Sequence, residues 1–271
     1  MSSKKSLSDL VGEESKSALP DTFKDLGDGK YEIDINFLRK QNIFFATPCY
    51  AGLLTDQYFL SMFRACQHLI KLGIDFRITT IRNESLITRA RNILTAMFLD
   101  SNCSHLFFID ADIEFDADSI VRMIGLDKDI IAGAYPKKTL PIQYAINFKI
   151  IDPATNKINY DRGAVEVIDA STGFFCIKRE VIEKMIVEYP ELHYKNDSSI
   201  DPKFNKHCYA FFDTWLDPKD NRYLSEDYTF CRRWQALNGQ IWIDPNTKLN
   251  HVGSYTFEGN IQQILGNQPT K

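Results

Sequence analysis

The stretch "SHLFFIDADIEFDADSIV", Ser104 to Val121, decides how the rest of the chain is read. Its first half is a short, continuous apolar run, the pattern of a strand buried on both faces, and it stops abruptly at Asp110 and Asp112. Working outward, "NIFFAT" is a second buried-strand candidate. Tyr58 to Leu72 then repeats apolar side chains at Phe59, Met62, Phe63, Cys66, Leu69 and Ile70 with helical spacing, and Gly73 stops the helix. "IDFRITTI" reads as the next strand, followed by "LITRARNILTAMFLD", a helix capped by Ser85 with Leu86, Ala90, Ile93, Leu94 and Met97 on its apolar face. Downstream, Asp118 caps "SIVRMIGL" and "DIIAGAYP" supplies a fourth strand. Strict alternation of this kind predicts an α/β fold with a mixed, mostly parallel central sheet flanked by helices on both faces. The second half is less regular. It offers strands at "IQYAINFKI", "AVEVID", "GFFCI" and "QIWID", and helices at "REVIEKMIVEY" and "EDYTFCRRWQAL".

Composition narrows the function classes. The 271 residues, 44% of them hydrophobic, are enough for one large core. A net charge of -4 without any Lys/Arg block disfavours a nucleic-acid partner. Six cysteines lie far apart with no C-x-x-C pair and no apolar leader, so they read as reduced thiols rather than a disulfide framework or a zinc site. No apolar run approaches the roughly 18 residues of a membrane span, so a soluble, cytoplasmic protein with at most peripheral membrane contact is expected. Residues 1–30, rich in Ser, Lys, Asp and Glu, read as a polar N-terminal tail expected to be flexible, and residues 31–271 as a single domain.

In an open parallel sheet, ligands bind beyond the carboxyl ends of the strands, which places Asp110 and Asp112 in that crevice. The tripeptide D-x-D is cheap, since Asp116 with Asp118 and Asp127 with Asp129 repeat it, so position carries the signal. An EF-hand fails because Phe115 stands where Gly is needed and Val121 where Glu is needed. A purely structural reading explains Asp110 and Asp118 but leaves Asp112 and Glu114 without a task. The third reading is a divalent ion carrying a diphosphate, because Mg2+ and Mn2+ typically take one or two carboxylates plus the substrate's own phosphate oxygens. Neither G-x-x-x-x-G-K-[ST] nor G-x-G-x-x-G occurs, which argues against P-loop enzymes, kinases and ordinary dinucleotide dehydrogenases.

Together "LFFIDADIEF", "SLITRARNIL", "STGFFCIKREVIEKM", "YLSEDYTFCRRW" and "LNHVGSYTFEG", in that order, resemble the metal-dependent nucleotide-sugar glycosyltransferases of GT-A fold, particularly the small single-domain members encoded by large DNA viruses and phages. The likeness runs from about Ile43 to Phe257. It implies a Rossmann-like GT-A domain with a donor-binding half at about 41–136 and an acceptor-side half at about 137–260.

The resemblance implies roles. Asp112, with Asp110 and His251, would hold Mn2+ (or Mg2+), and Asp110, Ala111 and Asp112 would contact the donor, a UDP-sugar by preference. In "ATPCYAG", Thr47, Pro48 and Tyr50 would form the nucleobase pocket, although a plain strand-ending turn explains them equally well. Arg89 and Asn92, three residues apart and so on one helix face with Arg91 pointing elsewhere, would be donor contacts. Lys137 or Lys138 of "AYPKK" could reach the diphosphate, but adjacent lysines in a Pro-containing loop are more often solvated. Thr172 and Gly173 would bring backbone close to the sugar, where a tight turn between strands is the bland alternative, and Trp215 could stack on a sugar face, although an ordinary core or rim Trp explains it equally well. Asp227 would be the general base of an inverting transfer to a hydroxyl of a glycan acceptor, with Glu226 binding a sugar or acceptor hydroxyl. Its bland alternative is an acidic first turn behind an N-cap at Ser225. The alternatives kept are a sugar-1-phosphate nucleotidyltransferase and a non-catalytic sugar- or nucleotide-binding protein of the same fold. Sugar, acceptor and oligomeric state are not readable from the sequence.

Overall fold

The computed structural model describes residues 22–266 except 28–29, 153, 155–156 and 198–199. Most of the expected tail therefore lies outside the described residues. Its last part does not behave as a tail: Phe23–Gly27 pairs antiparallel with Lys30–Ile33. Phe23 is buried and stacks on Tyr31, and the Arg122 guanidinium lies 4.9 Å from the Phe23 ring centroid. One aromatic in a polar stretch is a weak periodic signal, but it anchors the hairpin because a buried cation, fixed by Asp244, lies over its face.

Nine strands form the central sheet. In spatial order they are Tyr160–Asp161, Ala164–Ala170, Ile241–Ile243, Ile130–Ala132, Phe174–Lys178, His105–Ile109, Asn42–Cys49 and Asp75–Arg82, with Ile146–Phe148 pairing beside Ala164–Ala170. Only Ala164–Ala170 and Phe174–Lys178 run against the common direction, which makes the sheet mixed but mostly of one sense. The period-2 pattern divides the core. Ile43, Phe45, Phe107 and Ile109 face the helices Asp56–Leu72 and Ala117–Gly125. Phe44, Ala46, Leu106 and Phe108 face the helices Ile87–Leu99, Arg179–Glu188 and Glu226–Ala236. Both faces are covered, so these strands read as unbroken apolar runs.

Helix ends differ in detail from the sequence expectation. Gly73 does end its helix in the left-handed conformation, at φ 73°. Thr55 caps that helix's start through the Tyr58 N–H, Leu86 rather than Ser85 precedes Ile87–Leu99, and Asp116 rather than Asp118 is the cap of Ala117–Gly125. The larger departure is topological. His105–Ile109 and Ile130–Ala132 are separated by Phe174–Lys178, which pairs antiparallel with both. This insertion brings the "STGFF" turn against the acids of "FIDAD".

Candidate active site

The chain leaves the central sheet at Ile109, and the Asp110 N–H donates to the Gly173 carbonyl at 2.9 Å. Three residues on, Ile113–Phe115 pairs with Leu249–Val252, the middle strand of a separate three-stranded sheet. His251 lies opposite Ile113 in that register, and the Val252 N–H donates to the Asp112 carbonyl at 2.8 Å. The D-x-D turn thus bridges two sheets, and its second acid is delivered to His251 by strand pairing. Glu114 has a task here too: its carboxylate accepts from the Asn250 amide at 2.9 Å.

Asp112 and His251 face one another in the crevice. His251 Nε2 lies 3.5 Å from Asp112 Oδ2, and Lys138 Nζ lies 2.6 Å from the same oxygen. Burial raises the Asp112 carboxyl, but His251 and Lys138 outweigh it and hold it below the ordinary carboxylate range. His251 Nδ1 is 2.9 Å from the Pro136 carbonyl, which can only accept, so Nδ1 carries a proton and Nε2 is turned toward the acid. One carboxylate and one imidazole oriented by a backbone carbonyl suit Mn2+ or Mg2+, provided a substrate's phosphate oxygens complete the shell. Among the described residues, no group of three or more His, Cys, Asp or Glu gathers as a complete cage. Asp110, expected beside Asp112 and His251 as a ligand, instead points to a cation of the protein.

That cation is Arg91. Its Nη2 lies 3.0 and 3.2 Å from the Asp110 oxygens and its Nε 3.5 Å from Glu226 Oε1, with the guanidinium 5.4 Å from the Phe108 ring centroid. Only 3% of Arg91 is exposed. The resemblance pointed to Arg89 and Asn92, which share a helix face, but it is Arg91 that the structure brings to the acids. Arg89 forks onto Glu84 and reaches Asp197, both away from the acids. Asn92 is buried and latches the Phe212 backbone, donating to its carbonyl at 2.8 Å and accepting from its N–H at 2.9 Å. Helix spacing tells which residues share a face, but here nearly the whole circumference from Ala90 to Ala96 is buried, so no exposed face existed to choose.

Asp227 stands on the first turn of Glu226–Ala236. Ser225 is the cap residue, yet its hydroxyl makes no cap bond; it donates to Asp227 Oδ1, which also accepts from the Tyr228 N–H. Burial, reinforced by the neighbouring Glu226 charge, pushes the Asp227 carboxyl up to about 6, against the pull of Ser225 and Arg91. A capping role would leave a carboxylate solvated and its acidity ordinary. Tyr135, which the sequence did not single out, lies partly buried beside Asp110 and Asp227. Burial and the charges of Asp110 and Asp227 drive its phenol well above the ordinary range, so it stays protonated. It meets His251 edge to face at 5.1 Å.

Other expected contacts divide. Thr47 is fully buried with its hydroxyl 2.6 Å from that of Tyr58, so it faces the core rather than a nucleobase. Pro48 is half-buried at the strand end, whereas Tyr50 is 71% exposed on the following turn and free to stack. Ala111 offers its carbonyl to the Thr55 N–H at 2.9 Å. Thr172 and Gly173 are buried beneath the acids, so they do not themselves present a surface to a sugar. Gly173 is needed because a Cβ would fall 2.6 Å from the Tyr135 hydroxyl and 2.7 Å from Asp110 Oδ2. Trp215, 38% exposed, pairs with Leu224 in the small hairpin that leads directly to Ser225 and the acidic pair. The six cysteines are free thiols, and among the described residues no helix is long and apolar enough to cross a membrane.

No family model and no curated protein matches the chain. Solved structures are similar in outline. One described as GalNAc-T7 with UDP, GalNAc and Mn2+ aligns over 85% of this chain at 12% identity and TM-score 0.46, and this chain spans 46% of it. A 4-diphosphocytidyl-2C-methyl-D-erythritol synthase from Anaerococcus prevotii aligns over 75% of this chain and 99% of its own, at 9% identity and TM-score 0.35. A nucleoside-diphosphate-sugar pyrophosphorylase from Vibrio cholerae aligns over 77% of this chain and 74% of its own, at 11% identity and TM-score 0.35.

Proposed function

We propose that this protein is a metal-dependent transferase acting on a nucleoside diphosphate derivative. More particularly, it is an inverting glycosyltransferase that moves a sugar from a UDP-sugar to a hydroxyl of a glycan or related acceptor in the cytoplasm. The observation that carries this reading is the buried Arg91, which holds Asp110 and Glu226 and so ties the D-x-D turn to the acidic pair of the helix start, with an acid of opposite character next to each. Asp112, with its carboxyl held low beside His251, is suited to a cation, and Asp227, with its carboxyl raised to about 6, is suited to take a proton near neutral pH.

Asp112 and His251 would hold Mn2+ or Mg2+, which when bound supplies Lewis-acid stabilisation to the departing diphosphate. Asp227 Oδ2 is the oxygen left outside the Ser225 and Tyr228 hydrogen bonds, and it takes the proton of the acceptor hydroxyl as that oxygen attacks the anomeric carbon. Arg91 fixes Asp110 and Glu226, so both carboxylates stay in place to receive sugar or ribose hydroxyls. Tyr50 and Trp215 offer exposed aromatic faces, at the first strand's end and beside the acidic pair, for base and sugar.

The test is hydrolysis and transfer across UDP-, GDP- and dTDP-sugars with Mn2+, Mg2+ or chelator. Release of a nucleoside diphosphate that stops with chelator, in Asp112→Ala and in Asp227→Asn is expected. Full activity of Asp112→Ala without added metal would remove the metal role. Pyrophosphate release from a nucleoside triphosphate and a sugar phosphate would replace this reading with nucleotidyl transfer, and nucleotide binding without turnover under any acceptor would replace it with a binding protein.

A further inference from the structure

The loop after Ile130–Ala132 carries two devices toward the same carboxylate. The Pro136 carbonyl orients His251, and two residues later Lys138 places its ammonium 2.6 Å from Asp112 Oδ2, the oxygen that His251 Nε2 also faces. The loop is pinned at its base: Pro136 bridges to Tyr144, and the Lys137 N–H donates to the Gln143 carbonyl at 2.7 Å. The Lys138 stem runs beside Gly253, lying 3.3 Å from the point a Cβ would occupy there, so any side chain at 253 would crowd it. Lys137, its neighbour, is exposed.

An ammonium in hydrogen-bond contact with that oxygen competes with a dication for it, since the two positive charges would stand a few ångströms apart. We propose that Lys138 is a built-in counter-cation of Asp112, which yields that oxygen to a divalent ion only when a nucleoside diphosphate arrives to receive the displaced ammonium. The inference rests on the reading of Asp112 and His251 as holders of the ion. Binding is then ordered by charge. Without nucleotide, metal must expel the lysine with nothing to compensate it. With nucleotide, the diphosphate brings negative charge that accepts both cations, so lysine and metal stop competing. The lysine thereby acts twice, keeping the acid neutralised while the crevice is open and then facing the leaving group.

Manganese binding to the full-length chain, followed by the loss of the free-ion electron paramagnetic resonance signal, tests this without any turnover. If Lys138 holds Asp112 about nine-tenths of the time, Lys138→Met should bind Mn2+ about tenfold more tightly than the wild type in the absence of nucleotide. Lys138→Arg and Lys137→Met should bind it like the wild type. Added UDP should raise the wild type's Mn2+ affinity by a factor roughly tenfold larger than it does for Lys138→Met, because only the wild type has a competitor to relieve. A melting curve matching the wild type's is expected for Lys138→Met, since the side chain is exposed. Equal Mn2+ affinity in wild type and Lys138→Met overturns the lysine's role and leaves the transferase reading standing. No Mn2+ binding by either chain, with UDP present, overturns both.

Discussion

Replacing Asp227 by Asn should make the protein more stable and inactive at once. The carboxyl is raised from its ordinary 3.8 to about 6, chiefly by burial. Each pH unit between the folded and unfolded values corresponds to about 1.4 kcal/mol, so the ionised side chain destabilises the fold by roughly 3 kcal/mol at neutral pH. The sign follows from proton binding. Between pH 3.8 and about 6 the folded state holds the proton more often than the unfolded state, so this residue's contribution to stability falls as pH rises through that window and levels off above it. Asn keeps an oxygen to accept from Ser225 and the Tyr228 N–H but carries no charge. Urea unfolding at pH 7.5 should therefore show Asp227→Asn stabilised by roughly 2–3 kcal/mol, and the gain should vanish below pH 4. Sugar transfer should be lost at both pH values, while wild-type transfer should rise with pH through about 6 and then plateau. A variant no more stable than wild type at pH 7.5, or one stabilised equally at pH 3.5, would refute the claim that a desolvated charge at this position is retained for chemistry.

Three further outcomes test the network around it. Arg91→Met should cost about 2–3 kcal/mol, because Asp110 and Glu226 lose their shared counter-ion, and should move the acid limb of the rate profile above pH 6, since Arg91 lowers the Asp227 carboxyl; Arg91→Lys should restore stability better than it restores rate. Gly173→Ala would force Tyr135 and Asp110 apart, with an expected loss of about 1–3 kcal/mol in thermal unfolding and a fall in kcat larger than any change in nucleotide affinity. Asn92→Ala should lower stability by about 1–3 kcal/mol, through the orphaned Phe212 backbone groups, and leave UDP affinity per folded molecule unchanged in calorimetry. A large loss of UDP affinity in that variant would return Asn92 to the donor site.

Asn42–Cys49, His105–Ile109 and Ile130–Ala132 were legible because each is buried on both faces and reads as an apolar run, whereas the edge strand Asp75–Arg82 is largely exposed and showed itself by its β-branched residues. Helix Asp56–Leu72 was legible because apolar side chains recur along it and Gly73 marks its end, but its buried face is Tyr58, Ser61, Met62, Ala65 and Leu69, while Phe59, Phe63 and Ile70, expected on that face, are exposed. Sequence order did not give spatial order. Phe174–Lys178 could not be placed between His105–Ile109 and Ile130–Ala132 from its own residues, since strand pairing depends on backbone groups that every residue carries. The same limit governed the site. Asp112, His251 and Asp227 carry their signal in residue type and position, while Arg91, Tyr135 and Lys138 sit among residues with equally plausible bland roles. Arg91 was passed over for Arg89 because the motif likeness named Arg89, and spacing along one helix says only which residues share a face, not which face meets the acids. Likewise Gly173 was assigned to the sugar, although the groups crowding it are Tyr135 and Asp110.

By itself, then, the sequence determined an α/β chain with alternating buried strands and covering helices, an acidic turn at the end of a buried strand, and a second acidic pair at a helix start. These are properties of short windows, where burial period and residue chemistry suffice. Only the tertiary structure decided that Asp110 serves Arg91 while Asp112 serves His251 and Lys138, that Thr47 faces inward, and that the Ser225 hydroxyl holds Asp227 instead of capping its helix. Charge partners 19 to 139 residues apart are fixed by packing, and the burial that raises the Asp227 carboxyl exists only once the two halves have closed around it.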